Sequence, residues 1–423
     1  MLKMLRKIIP ETFFLRVFFH RLTGFLAALC YGFPARNLKV IGVTGTDGKT
    51  TTSMMIAHIL STKYKVGLAS SVYFQVGERK WKNKTHKTTL GRFALQKLLR
   101  EMLRQGCEYA VLEASSIGLH QGRMAGIRFD IAVLTNLAGE HLSYHKTMER
   151  LARDKGRLFK KLRKKGVAVL NKDNEYYEFF SKYPAQKTLT YAVKNAADLQ
   201  ASEITESLDG ISFKLNGEQL KLQVLGEFNV YNALAAAAVA QTVGLNAKEI
   251  KHALESFPGV PGRLERLNPG ADFAIFLDFA LTPQAFESLH RSLKKLTQGK
   301  LIPVFGACGG GRDTWRRKVI GKLAAEICDF PIITDDEPYA DDPEEIIRQI
   351  KAGLFEANLE EGKDFIVLRD RREAISYAIS IAHPGDVITL TGLGDFETRM
   401  TNEGEIKWSD REEVRKALSA KSR

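Results

Sequence analysis

Residues 41–52 read Ile-Gly-Val-Thr-Gly-Thr-Asp-Gly-Lys-Thr-Thr-Thr, and the reading of this stretch decides the fold class. Ahead of it, Leu38-Lys39-Val40-Ile41-Gly42-Val43 is a short apolar run of the kind that forms a buried strand. After it, Thr50 to Leu60 has the pattern of a helix. Strand, glycine turn and helix N-terminus together make an anion site, because the turn's N–H groups converge and the helix dipole favours phosphate. In this register Lys49 reaches the β/γ-phosphates of a nucleotide and the Thr50 hydroxyl is a ligand for Mg²⁺. The plain alternative is a strand–turn–helix with a capping Thr; it leaves the shared register of Gly, Lys and Thr unexplained.

The general phosphate-loop spacing would place a glycine at 43, where this chain has Val43. The glycines are Gly45 and Gly48, in the shorter form Gly45-Thr46-Asp47-Gly48-Lys49-Thr50-Thr51. The chain of 423 residues has room for two or three domains. Four cysteines, Cys30, Cys107, Cys308 and Cys328, show neither metal nor redox spacing, which suits a reducing cytoplasm. The net charge is +14, and residues 1–40 supply +6 of it: Lys3, Arg6, Lys7, Arg16, Arg21, Arg36 and Lys39 against Glu11. The basic balance suits anionic ligands. No nucleic-acid motif accompanies it, so no nucleic-acid partner is expected.

In that first segment Phe14, Leu15, Phe18, Leu22, Phe25, Leu26 and Leu29 recur at helical spacing, with Arg16, His20 and Thr23 opposite. Two readings fit: a helix packed on the next domain or a partner, and a basic amphipathic helix on an anionic membrane surface. Arg16, His20 and Arg21 argue against a transmembrane span. From 39 to about 262 strands alternate with helices. Tyr109–Glu113 and 131–136 read as buried strands with polar ends, where parallel sheets place ligands. Residues 200–224 alternate like antiparallel hairpins, and 229–243 form an Ala-rich helix. Pro258-Gly259-Val260-Pro261-Gly262 is a breaker cluster and a domain boundary candidate. A second α/β set follows, with strands near 273–278, 301–306, 330–334, 364–368 and 386–391. The expected organisation is thus a helical segment at 1–38, a phosphate-loop domain with a parallel sheet at 39–262, and a Rossmann-like α/β domain at 263–423.

Further segments narrow the chemistry. Glu113-Ala114-Ser115-Ser116 ends one strand; Thr135-Asn136-Leu137 ends the next; Glu140-His141-Leu142-Ser143-Tyr144-His145 follows, with Lys155 ten residues beyond His145. With the short glycine loop, this order resembles the Mur ligase family, whose members form amide bonds with ATP. The resemblance implies that Gly45 to Thr51 bind ATP phosphates and that Thr50, Glu113 and His141 serve Mg²⁺. It also implies that Lys155 is the lysine carbamylated to place a second Mg²⁺. A carbamate gives a cationic side chain the oxygen donors that Mg²⁺ prefers. Leu225-Gly226-Glu227-Phe228-Asn229-Val230-Tyr231-Asn232 resembles the adenine segment, which assigns Asn229 and Asn232. An Asn pair opening a helix is also consistent with simple capping. Pro261-Gly262-Arg263-Leu264-Glu265 and Leu277-Asp278-Phe279 resemble the start of the family's third domain, assigning Arg263 and Asp278 to ATP. Gly306-Ala307-Cys308-Gly309-Gly310-Gly311-Arg312-Asp313 and Ser409-Asp410-Arg411-Glu412 resemble the MurE type within the family.

That type implies a function: an amino acid joined to a muramoyl-dipeptide precursor in peptidoglycan synthesis, through an acyl phosphate. Thr88, Thr89, Ser116, Gln121 and Arg123 align with the muramoyl-peptide contacts, and Arg312 is the candidate for the acceptor's α-carboxylate, because a guanidinium pairs bidentately with a carboxylate. A monomer is expected, cytoplasmic; on the second reading of the N-terminal helix it also makes peripheral contact at the inner membrane face. The family's acceptor motif Asp-Asn-Pro-Arg aligns with Asp336-Glu337-Pro338-Tyr339, so its arginine is missing. Gly392-Leu393-Gly394-Asp395-Phe396-Glu397 stands for Gly-Lys-Gly-His-Glu, which displaces Glu397 by one. About forty residues precede the phosphate loop, too few for the type's separate domain for uridine diphosphate. Related ligases of the folylpolyglutamate kind, a lipid-linked donor and a non-catalytic ATP-binding scaffold are the competing readings.

Overall fold

The computed structural model describes residues 14–85, 87–139, 142–268, 271–311 and 313–421. The chain forms two compact units. The first holds the described residues up to Thr205 with Gly210–Gln223 and Glu227–Pro258; the second holds Glu206–Asp209, Val224–Gly226 and Gly259 onward.

In the first unit the elements run α1 (Phe14–Cys30), β1 (Lys39–Thr44), α2 (Lys49–Ser61), β2 (Val66–Ala69), β3 (Tyr73–Val76), β4 (Arg79–Lys82), α3 (Arg92–Arg104) and β5 (Tyr109–Glu113). They continue as α4 (Ser116–His120), β6 (Phe129–Leu134), α5 (Leu142–His145), α6 (Met148–Gly156), β7 (Leu162–Asn171), α7 (Tyr177–Ser181), β8 (Lys187–Ala192) and β9 (Leu199–Ser207). The last are β10 (Gly210–Leu215), β11 (Glu218–Leu222), α8 (Glu227–Thr242) and α9 (Ala247–Glu255). The sheet order is β11-β10-β9-β8-β7-β6-β1-β5-β2-β3-β4. β1 lies between β5 and β6, parallel to both, and β10–β11 and β2–β3–β4 are antiparallel. Val40, Ile41 and Val43 are fully buried, because a central parallel strand is covered on both faces. Parallel strands deliver their carboxyl ends to one edge, so the loops after β1, β5 and β6 meet there. The Ala-rich α8 packs against α2, and its small side chains let the two backbones approach closely.

The first helix does pack on this unit, but not through the face its periodicity suggests. Val17, Gly24, Ala27 and Ala28 are buried, whereas Phe18, Leu22, Phe25, Leu26 and Leu29 are exposed. A Cβ on Gly24 would stand 2.6 Å from the Gly122 carbonyl, and one on Gly126 would stand 2.5 Å from Ala28 Cβ. The contact therefore requires small residues, and the large apolar ones are turned outward. The side chains of Phe14, Leu15 and Arg16 and all of residues 1–13 lie outside the described residues.

The second unit carries β12 (Glu265–Arg266), β13 (Ala274–Asp278), α10 (Pro283–Leu296), β14 (Leu301–Phe305), α11 (Trp315–Ile327), β15 (Ile332–Ile333) and α12 (Pro343–Glu356). Then come β16 (Ile366–Val367), α13 (Arg371–Ile381), β17 (Val387–Thr391), the hairpin β18 (Thr398–Thr401) and β19 (Gly404–Lys407), and α14 (Asp410–Lys421). Its sheet runs β12-β13-β17-β14-β15-β16, parallel except for β12. The mixed α/β architecture with one large sheet in each unit is the one the strand and helix pattern implies.

Candidate active site

The glycine loop leaves β1 and closes onto the loop after β6. Gly48 is left-handed at φ 76°, and a Cβ there would collide with Asn232 Oδ1; a Cβ on Gly45 would collide with Thr135 Oγ1. Asn136 Oδ1 accepts from Thr46 N at 3.1 Å and Asp47 N at 2.8 Å, and Thr135 Oγ1 donates to Asp47 O at 2.6 Å. Thr46 Oγ1 donates to Ala138 O at 3.0 Å. Thr51 is half-buried on the first turn of α2. The Lys49 ammonium rests on the carbonyls of Gly45 and Thr46. The buried Lys155 ammonium, delivered by α6, donates to the same Gly45 carbonyl. Two cations thus converge at the mouth of an anion loop, which fits a polyphosphate.

Glu113, at the end of β5, is 1 % exposed. Its carboxylate accepts from Thr50 Oγ1 at 3.3 Å, from Ser71 N at 2.9 Å and from Ser71 Oγ at 2.9 Å. Burial raises its pKa, opposed by the Ser71 bonds and by Lys49. Ser71, which sequence reading passed over, also donates to Thr88 Oγ1 at 3.2 Å. Thr89 Oγ1 lies 3.1 Å from Ser115 Oγ, and Arg123 joins Thr89 O at 2.9 Å to Gln121 Oε1 at 2.9 Å. Thr88, Thr89, Gln121 and Arg123 therefore share one cluster beside Glu113. Ser116 faces elsewhere: its buried hydroxyl is 3.0 Å from His145 Nε2, and His145 Nδ1 is 3.0 Å from Asp154 Oδ2. Asp154 also binds Arg157 at 2.8 Å, so this chain ties α4 to the helix that presents Lys155. His141 lies outside the described residues.

Asn229 and Asn232 sit inside α8, not at its cap. Asn232 Nδ2 donates to Asn229 Oδ1 at 2.9 Å, and Asn232 Oδ1 accepts from Thr52 Oγ1 at 3.0 Å. The pair thereby braces α2 behind the phosphate loop.

The second unit holds the remaining candidates. Asp278 Oδ2 accepts from Leu264 N at 2.6 Å, burial raises its pKa, and the Arg263 guanidinium stands 4.9 Å from the Phe279 ring centre. Arg411 grips Glu265 at 2.6 and 2.8 Å and reaches Asp395 at 3.1 Å. The Asp336–Tyr339 segment packs against the Gly309–Gly311 turn of the same unit, since a Cβ on Gly309 would collide with Pro338 O and one on Gly310 would touch the Tyr339 ring at 3.0 Å. Asp336 and Glu337 are buried, and Tyr339, at φ 56°, has its hydroxyl 3.4 Å from Glu337 Oε2. Burial pushes the Asp336 carboxyl up to about 7. Glu397 is exposed, and Arg312 lies outside the described residues. Sequence reading also missed the arginines around this segment. Arg371 is fully buried and paired bidentately with Asp410 at 2.8 and 2.6 Å; Arg317 binds Asp341 at 2.7 Å; Arg399 stacks on Trp408 at 4.5 Å and donates to Asp335 O at 3.3 Å. None carries a local sequence pattern that marks it.

Residues 43–240 match the Mur ligase middle domain and residues 262–394 the Mur ligase, glutamate ligase domain. A UDP-N-acetylmuramyl-tripeptide synthetase of Roseiflexus sp. (strain RS-1) is 38% identical over 413 residues, covering 93% of this chain and 81% of that one. A UDP-N-acetylmuramoyl-L-alanyl-D-glutamate–2,6-diaminopimelate ligase of Caldanaerobacter subterraneus subsp. tengcongensis is 39% identical over 399 residues, with 93% and 81% covered. The solved structure of a ligase with that second name superposes with a TM-score of 0.69 at 34% identity, over 91% of this chain and 79% of the other. The chain belongs to the Mur ligase family. It is an ATP-dependent, ADP-forming amide ligase of the peptidoglycan-synthesis family.

Proposed function

We propose that the first unit activates the terminal carboxylate of the muramoyl-dipeptide as an acyl phosphate and that the acceptor is a diamino acid with a single carboxylate, lysine or ornithine. The observation that carries the first part is the convergence of Lys49 and Lys155 on the Gly45 carbonyl, beside the Thr50–Glu113 pair. Two ammonium groups on one carbonyl repel each other. Carbamylation of Lys155 removes that repulsion and turns a second cation into an oxygen donor. The hydroxyl of Thr50 and the carboxylate of Glu113 are hard oxygen donors that suit Mg²⁺, with His141 completing the family's set. An Mg²⁺ ion held by these groups would supply neutralisation of the charge on the transferring phosphoryl group. The substrate carboxylate oxygen attacks the γ-phosphorus, ADP leaves, and the acceptor's amine then displaces phosphate from the acyl carbon. Lys49 and the loop N–H groups hold the transferring oxygens. Asn229, Asn232, Asp278 and Arg263 are assigned to the nucleoside, and Thr88, Thr89, Gln121 and Arg123 to the muramoyl-peptide.

The acceptor assignment rests on charge. Asp336 and Glu337 are buried on the acceptor segment and Tyr339 brings no cation. Arg317 and Arg371 are committed to Asp341 and Asp410. A distal ammonium is therefore favoured over a second carboxylate, which would face two buried acids and would have to draw Arg399 from Trp408 and the Asp335 carbonyl. In this reading the enzyme works as a cytoplasmic monomer in peripheral contact with the inner membrane face through α1. Phosphate release over lysine, ornithine, alanine and meso-diaminopimelate, with UDP-linked and lipid-linked donors, tests it. Preference for meso-diaminopimelate would overturn the acceptor assignment and give its second carboxylate to Arg399.

A further inference from the structure

Among the described side chains of α1, those left in water are the largest apolar ones. Phe18 (65 %), Phe19 (59 %), Leu22 (46 %), Phe25 (51 %), Leu26 (43 %) and Leu29 (55 %) are exposed, six of the eleven large hydrophobic side chains exposed among the described residues. They form one stripe instead of being scattered, which marks an interaction surface. Among the described residues no helix is long and apolar enough to cross a membrane, and α1, at 17 residues, is about 25 Å long. The stripe therefore suits a surface it lies along.

Phe25 is shared with a second feature. It forms part of the wall of a pocket of about 720 Å³ whose lining includes Arg36, Arg128, Lys160, Lys161 and Arg163 and no acid. Arg163 meets Asp130 at 3.4 Å, Arg36 lies 4.2 Å over the Phe33 ring, and Lys161 donates to Met124 O at 2.9 Å. Among the described residues no carboxylate pairs with Arg36, Arg128, Lys160 or Lys161. Burial, with Arg128 and Arg21 near, pushes the Lys161 ammonium down to about 8. A concave cluster of five cations of which Arg163 alone meets a carboxylate calls for anions. Beside a Phe/Leu stripe, the matching partner is a surface with phosphates outside and acyl chains beneath.

We propose that this pocket and the α1 stripe form one docking surface for an anionic phospholipid bilayer, the cations receiving lipid phosphates while the stripe enters the acyl boundary. The proposal rests on the peripheral contact named above and adds the site that makes it selective for anionic lipid.

The test is co-sedimentation of the full chain with phosphatidylcholine vesicles, with and without phosphatidylglycerol. The wild type is expected to bind the anionic vesicles more strongly, and less so as salt rises. Arg128→Gln with Lys160→Gln is expected to lower partition onto anionic vesicles about 30-fold, at about fivefold per charge, while leaving weak binding to neutral vesicles unchanged. Phe18→Ser with Phe25→Ser is expected to lose both. Both variants should keep the wild-type melting curve, since the four side chains are exposed. Should the wild type bind anionic vesicles and the pocket variant bind them equally well, the pocket has no role and only the helix contact stands. Should the wild type bind no anionic vesicle, the peripheral contact itself falls, and the pocket with it.

Discussion

Replacing Gly48 by Ala tests how the phosphate loop is held. Gly48 has φ 76°, and an added Cβ runs into Asn232 Oδ1. Left-handed backbone costs a non-glycine residue about 1–2 kcal/mol. Asn232 cannot retreat freely, because the same Oδ1 accepts from Thr52 at 3.0 Å and its Nδ2 donates to Asn229 at 2.9 Å. Breaking one of these buried bonds adds about 1–2 kcal/mol, for a total of about 3 kcal/mol. In a unit of this size that lowers the melting temperature by about 6–12 °C. Gly32→Ala is the control: φ is 70°, yet nothing lies within 4 Å of the added Cβ, so only the backbone cost of about 1 kcal/mol applies. Differential scanning calorimetry reads both, and ATP affinity should fall for Gly48→Ala alone. Equal melting shifts for the two variants would refute the clasp between Gly48 and Asn232.

Lys155→Ala should abolish phosphate release and regain part of it with a short carboxylic acid; full activity of that variant in carbon-dioxide-depleted buffer would remove the carbamate. Asp336→Asn should change the pH dependence of stability. A folded pKa of about 7 against 3.8 unfolded means that the folded state holds its proton between about pH 4 and 7, so this group's contribution is present below about pH 4 and is lost as pH rises through 7. The variant should therefore melt above the wild type at pH 8, by up to about 4 kcal/mol, and with it near pH 4, which thermal melts across that range will check. Arg371→Ala leaves Asp410 buried without its guanidinium and should cost about 3–5 kcal/mol in denaturant melts.

What the sequence made legible was local. The run from Val40 to Thr51 carries strand, turn and helix signals within a dozen residues, and the structure forms β1, the glycine loop and α2 there. The partners of that loop were not legible, because Asn136, in the loop after β6, and Asn232, on α8, reach it from distant parts of the chain. The Ser116–His145–Asp154 chain is likewise made by folding, since it joins α4, α5 and α6. α1 shows a limit of periodicity. Its pattern locates an apolar stripe, but close packing against Gly122 and Gly126 selects the small residues for burial. On the acceptor side the Asp336–Tyr339 segment is contiguous and could be aligned, whereas Arg317, Arg371 and Arg399 are scattered and converge only in the fold.

The central claim is that an acyl phosphate forms on the muramoyl-dipeptide. With ¹⁸O in the terminal carboxylate of that substrate, each turnover should transfer one labelled oxygen to the released phosphate, because the oxygen that attacks the γ-phosphorus leaves with it when the amine adds. Mass spectrometry of the phosphate reads this directly. Label in phosphate at one atom per amide bond formed is the predicted result; amide formation with unlabelled phosphate, or with the label in AMP, would contradict it.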